Sequence, residues 1–235
     1  MLAIIGIFLI LYVVADILRG VTNLRGWSPP AVIYVIVPVL VFPVLFLFFL
    51  RQNLRGLANF DVRPLAGDVS QAFRTRVTEL EALGFTALGP PVSSTNGHLQ
   101  LRVQPMLSAD HQSYAAVYEF GTSSEVIFDF DSRLEDGRFV MTNSSPIAAR
   151  GPVRPDVLIQ AFPNASPAEL LKRHQEALVC LGSRAIALDA RPDDYWSLGR
   201  ECSRRRFEKL TLIEAFQMMR TQQQHMIPIS SRART

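Results

Sequence analysis

Hydrophobic positions are spaced in three different ways along this chain, and each spacing predicts a different kind of element. The first pattern is unbroken. Leu2 to Leu18 is apolar except for polar positions such as Asp16, and Ala31 to Leu50 runs for twenty residues without a charge. At 1.5 Å per residue these would make helices of about 25 and 30 Å, lengths that match the hydrocarbon core of a bilayer. Pro38 and Pro43 predict a kink in the second. The linking RGVTNLRGWSPP offers turn residues and, in Trp27, an interfacial anchor. The expectation is a transmembrane hairpin over residues 1–52 with spans 2–18 and 31–50. Asp16 and Arg19, one helical turn apart, are expected to pair with each other. No Lys or Arg precedes the first run and no small-residue cleavage pattern follows it, which argues for a retained span over a cleaved signal peptide.

The other two patterns begin after an expected linker at 53–68. Phe73, Val77, Leu80 and Leu83 fall on one stripe at helical spacing, and Gly84 follows as a stop, predicting a helix over 69–83. Strict alternation then predicts a strand at 98–104, with Leu99, Leu101 and Val103 inward. Residues 113–120 and 125–133 are rich in β-formers around a GTSS loop. Asp136-Gly137 predicts a two-residue hairpin turn that sets Leu134 opposite Phe139 and Phe130 opposite Asn143. The proline-rich stretch 146–165 reads as a crossing loop. Ser166-Pro167-Ala168-Glu169 is a capping box opening a helix that stops at Gly182. A last helical region, 195–224 with a break at Gly199, would place Phe207, Leu210, Ile213, Phe216 and Met219 on an apolar surface, and 226–235 would be a disordered tail. The expected fold class is α+β: a hairpin anchor and one soluble domain, residues 69–225, in which a four-stranded antiparallel meander is covered by helices on one side.

Composition sharpens this picture in places. The chain is 49% apolar with a net charge of +3. Its acidic and basic residues are interspersed and no nucleic-acid-binding signature accompanies them, so nucleic acid is not an expected partner. Only two of the 24 basic residues, Lys172 and Lys209, are lysines, a bias read first as codon usage. Cys180 and Cys202 lie outside any metal-binding or disulfide spacing, so free thiols are expected, with a single bridge left open. Arg51, Arg55 and Arg63 after the second run, against Arg19 and Arg25 in the loop, favour a soluble domain on the cytoplasmic side of a multi-pass protein of the inner membrane.

Candidate chemistry is sparse. Asp129 and Asp131, two apart on a strand, share a face, and with Glu119 and His111 they could divide acid and base roles or hold a divalent cation. The competing account is a solvated strand face paired with Arg102 or Arg138. The histidines show no ligand spacing, and phosphate-loop, dinucleotide, nucleophile-elbow and zincin motifs are absent from the sequence, so neither a cofactor nor a metal is expected. Arg204, Arg205 and Arg206 form a basic run suited to anionic lipid headgroups, though Glu201 and Glu208 dilute it.

The segments LEALGF at 80–85, AAVYEF, FDFDSRLEDGRFVMTNSSP and SPAELLKRHQEAL together resemble a group of uncharacterised bacterial proteins, often membrane-anchored. The resemblance covers roughly residues 70 to 181 and implies a bacterial origin and the meander. Its motifs are a helix stop, a hairpin turn and a cap, and they imply no site residue. The sequence therefore favours a membrane-tethered, non-enzymatic interaction or sensory domain. Its expected partners are the bilayer and a protein partner or a second copy meeting through the hairpin. The alternative is a membrane-bound hydrolase or metal-dependent enzyme using the acidic strand face.

Overall fold

A computed structural model describes residues 45–49, 51–52, 60–65, 67–96, 99–120, 125–145, 152 and 154–215. The chain divides into two units, Met1–Leu50 and Arg51–Thr235. No helix among the described residues is long and apolar enough to cross a membrane. A helical span requires one uninterrupted apolar helix of about 20 residues; of the expected spans only 45–49 is described, as a short helical stretch. That finding corrects the expected transmembrane hairpin, the membrane assignment and the inner-membrane localisation. The expected tail, 226–235, lies outside the described residues.

The second unit is mostly sheet. Its strands are β1 (Asp61–Pro64), β2 (Phe85–Ala87), β3 (Val92–Asn96), β4 (Leu99–Ser108), β5 (Tyr114–Phe120), β6 (Val126–Arg133), β7 (Phe139–Asn143) and β8 (Val157–Ala161). Its main helices are α1 (Gln71–Ala82), α2 (Pro167–Leu181) and α3 (Pro192–Phe207). The sheet order is β1-β3-β4-β5-β6-β7-β8, with β2 beside the second half of β4. All neighbours are antiparallel except β7 and β8. The expected four-strand meander is therefore the centre of an eight-stranded sheet.

Helices cover both faces, not one. On the first face α1 and α2 bury Phe73, Leu80 and Leu170 against Phe85, Met106, Val117, Phe128 and Phe130. On the second, α3 buries Tyr195, Trp196 and Cys202 against Val103, Tyr114, Phe139 and Ile159. Large residues such as these each contribute about 1.5–3 kcal/mol by leaving water. The termini of the first-face helices follow their sequence signals. Ser70 Oγ accepts from Phe73 N at 3.1 Å and Gly84 follows α1 at φ +89°. Ser166 Oγ accepts from Glu169 N at 3.3 Å, and Gly182 closes α2 in the left-handed conformation, φ +64°.

The β6–β7 hairpin corrects the expected register by one residue. Arg133 pairs with Phe139, Ser132 with Val140 and Asp129 with Asn143. The connection is a three-residue loop, closed by Leu134 N to Arg138 O at 2.8 Å and Gly137 N to Leu134 O at 2.9 Å, with Gly137 at φ +83°. That is a type I turn followed by a left-handed glycine, the geometry of a three-residue hairpin instead of a two-residue one. A one-residue slip exchanges the faces of a whole strand. Val140 and Thr142 consequently join the α1–α2 face, and Phe139, Met141 and Asn143 join Asp129 and Asp131 on the α3 face. α3 also departs from expectation. It runs through Gly199 without a break and ends at Phe207, while Ile213 beyond it is exposed.

Candidate functional site

The sheet separates the sequence-derived candidates. Glu119 lies on the α1–α2 face, because β5 pairs Glu119 with Val126, whereas Asp129 and Asp131 alternate onto the α3 face. Glu119 is buried and committed: Arg102 Nη1 donates to it at 2.7 Å, and the Ser70 backbone N–H at 3.2 Å. Burial pushes its carboxyl upward, but these hydrogen bonds and the Arg102 charge outweigh it and hold the group below the usual range. Glu119 is thus an anchor for the start of α1. His111 sits exposed in the β4–β5 turn at φ +60°, its Nδ1 3.3 Å from Leu188 O. Among the described residues no hydrogen bond joins it to either aspartate. The three-arginine run is also dispersed. Arg204 is exposed, Arg205 donates to Gly137 O at 2.9 Å and pairs with Glu201, and Arg206 is buried over the Phe207 ring. Cys180 is exposed, Cys202 buried, and both are free thiols.

Asp129 and Asp131 do come together, but beneath α3 and away from solvent, at 3% and 9% exposure. Asp129 Oδ2 accepts from Asn143 Nδ2 at 3.1 Å. Among the described residues Asp129 Oδ1 and Asp131 Oδ1 have no hydrogen-bond donor. Next to them Tyr118 on β5 and Tyr195 on α3 share a hydroxyl–hydroxyl hydrogen bond of 2.8 Å. Tyr195 packs edge-on to Tyr114 and to Trp196, at ring-centroid distances of 5.5 and 4.8 Å. Burial drives the electrostatics. It pushes Asp131 up to about 7, and raises Asp129 well above the carboxylate range with help from the Asp131 charge. Burial and the two aspartates likewise raise Tyr118 and Tyr195, and push the Cys202 thiol up to about 12. The arrangement disfavours negative charge and therefore takes up protons. Among the described residues no group of three or more His, Cys, Asp or Glu side chains could hold a metal ion.

A second buried polar group, on the opposite face, had no sequence signal. His174 is fully buried between Ser132 Oγ, 2.9 Å from Nε2, and Thr142 Oγ1, 2.9 Å from Nδ1. The hydrogen-bond directions follow from valence. Ser132 has one hydroxyl proton and gives it to the Gln112 carbonyl at 2.8 Å, so Nε2 must carry the ring proton. Thr142 accepts from Gln160 Nε2 at 2.8 Å and donates to Nδ1. Ser113 completes the set at 2.8 Å from Ser132 Oγ. The imidazole is neutral, with burial depressing its pKa to about 3. Although serine and histidine are adjacent, the serine proton is directed at a carbonyl and both side chains are sealed, so this is a cross-brace between β6, β7 and α2.

These residues lie far apart in sequence and meet only through strand register. Tyr118 and Tyr195 are 77 positions apart, and His174 and Ser132 are 42 apart. His98 and His225 fall outside the described residues. In comparisons with known proteins, no family model, no curated protein and no solved structure matches the chain.

Proposed function

We propose that the second unit is a non-enzymatic sensory or interaction domain that acts through a protein partner. The observation that carries this reading is the division of the candidate chemistry between two faces. Glu119 is held by Arg102 and Ser70 on one side, and Asp129 with Asp131 lies under α3 on the other. A hydrolase needs a nucleophile or activated water, a base and an oxyanion donor converging on one accessible point. Here the paired groups are buried, and the one Ser–His contact among the described residues belongs to a saturated network. Buried titratable groups that keep an oxygen without a donor among the described residues suit a responsive element better than a binding cleft, since their cost changes with conditions outside.

The test uses the full chain. In-cell cross-linking followed by mass spectrometry is expected to recover a specific partner or a second copy bound to the second unit, and failure to recover either overturns the proposal. So does turnover of generic ester, phosphoester or peptide substrates that disappears in Asp129→Asn or Asp131→Asn.

A further inference from the structure

The buried polar groups of this domain fall into two kinds. His174, Glu119, Thr142 and Gln160 each have complementary partners. Asp129 and Asp131 do not, because each keeps one buried oxygen without a donor among the described residues. An anionic carboxylate in that position is severely destabilised by lost hydration, and a proton removes the penalty. Among the described residues, the groups facing the pair offer no cation to replace it. β5 contributes Tyr118, α3 contributes Tyr195 and Cys202, and the pair's own strand continues to Arg133, which is turned to Glu201 and the Phe139 ring. Arg206, on the next turn of α3, faces Cys202 and Phe207.

We infer that Asp129 and Asp131 form a proton-operated latch for α3, closed while the pair is protonated and loosened when it ionises. The inference deepens the sensory reading proposed above and rests on it, naming its input and moving part. α3 is the element that yields because of how it is attached. The strands are tied by ladder hydrogen bonds, whereas α3 lies on the sheet through side chains, and two of these, Tyr195 and Cys202, roof the pair. When the pair gives its proton to solvent, Asn143 still donates to one oxygen of Asp129, but the buried oxygens without a donor are left to water, which reaches them by displacing that roof. The value of about 7 toward which burial pushes Asp131 places the transition near neutrality. Trp196 stands beside Tyr195 and packs on Phe60 at 5.4 Å, so it reports the position of α3.

The experiment uses the full chain carrying Trp27→Phe, which leaves Trp196 as the sole tryptophan. Hydrogen exchange of residues 192–207 is followed from pH 5 to 8.5, corrected for the intrinsic rate, together with Trp196 emission. If both carboxyls of the opened pair have ordinary pKa values, opening of α3 should rise by up to about a hundredfold per pH unit below pH ~7, where two protons are released, and less steeply above it, where Asp131 is already ionised. Trp196 emission should shift to the red over the same range while residues 167–181 stay protected. Asp131→Asn, or Asp129→Asn should the first fail to fold, leaves one titrating carboxyl and is expected to cut the rise to about tenfold per pH unit or less. Exchange of α3 that is flat with pH, or an equal rise in the Asn variant that folds, overturns the latch. No partner is needed for this readout. A latch that opens without any recovered partner would refute the sensory reading alone, and a recovered partner with a flat profile would refute the latch alone.

Discussion

Replacing His174 by Gln should weaken the protein at neutral pH and also change how its stability responds to acid. The neutral imidazole is held at both ring nitrogens, and burial takes its pKa from 6.5 to about 3. The sign follows from which state binds the proton. Below pH 6.5 the unfolded chain protonates this histidine and the folded chain does not, so its contribution to stability falls as pH drops from about 6.5 to about 3. Over that whole window the loss amounts to about 5 kcal/mol, and between pH 7.5 and 5 to about 2 kcal/mol. The buried aspartates act in the opposite direction, since their raised values favour the folded state as pH falls. Wild-type stability alone would therefore mix the two. Their difference does not: in urea unfolding at matched pH, the cost of His174→Gln at pH 7.5 should shrink by about 2 kcal/mol at pH 5. A cost that stays constant across that range would refute the neutral, buried assignment.

Three further outcomes follow from other parts of the fold. Glu119→Gln should cost about 1–2 kcal/mol at pH 7, discounted because Arg102 is partly exposed, and the cost should shrink as pH falls through and below the ordinary carboxylate range and Glu119 protonates; urea titrations at neutral and acid pH check this. Ser166→Ala removes the α2 cap and should lower stability by about 1 kcal/mol, read as a lower urea midpoint with unchanged slope. Gly137→Ala forces a side chain onto a left-handed residue of the three-residue loop and should cost about 1–2 kcal/mol, visible as a lower melting temperature.

What the sequence discloses here depends on whether a signal is local. The caps of α1 and α2 rest on neighbouring residues, Ser70 with Gly84 and Ser166 with Gly182, and the structure places helices between them. The central strands likewise follow from alternation. β8, VLIQA, is buried on both faces and shows no alternation, so its signal was lost in a proline-rich stretch. β3, VSSTN, is polar for a strand whose Ser93 and Ser94 are buried, and β2 has only three residues. The Asp136-Gly137 turn was legible as a turn, yet its loop length decided the register, and two- and three-residue loops share the same Asp-Gly signal. For the candidate site, the spacing of Asp129 and Asp131 correctly puts them on one face. Burial reverses the consequence: the strand face expected to be solvated lies under α3. That covering helix comes from more than 60 residues later, and nothing near the aspartates announces it. Glu119 failed to join them because a single step of strand register separates the faces.

The central claim is that Asp129 and Asp131 are buried as proton-binding groups beneath α3, and the most direct measurement is their own titration. The side-chain carboxyl carbons of 13C-labelled aspartate, assigned with Asp131→Asn and Asp129→Asn, would be followed by NMR from pH 4 to 9. The account predicts an Asp131 midpoint at about 7, with Asp129 also far above the usual range. Midpoints near the ordinary aspartate value of about 3.9 would contradict it.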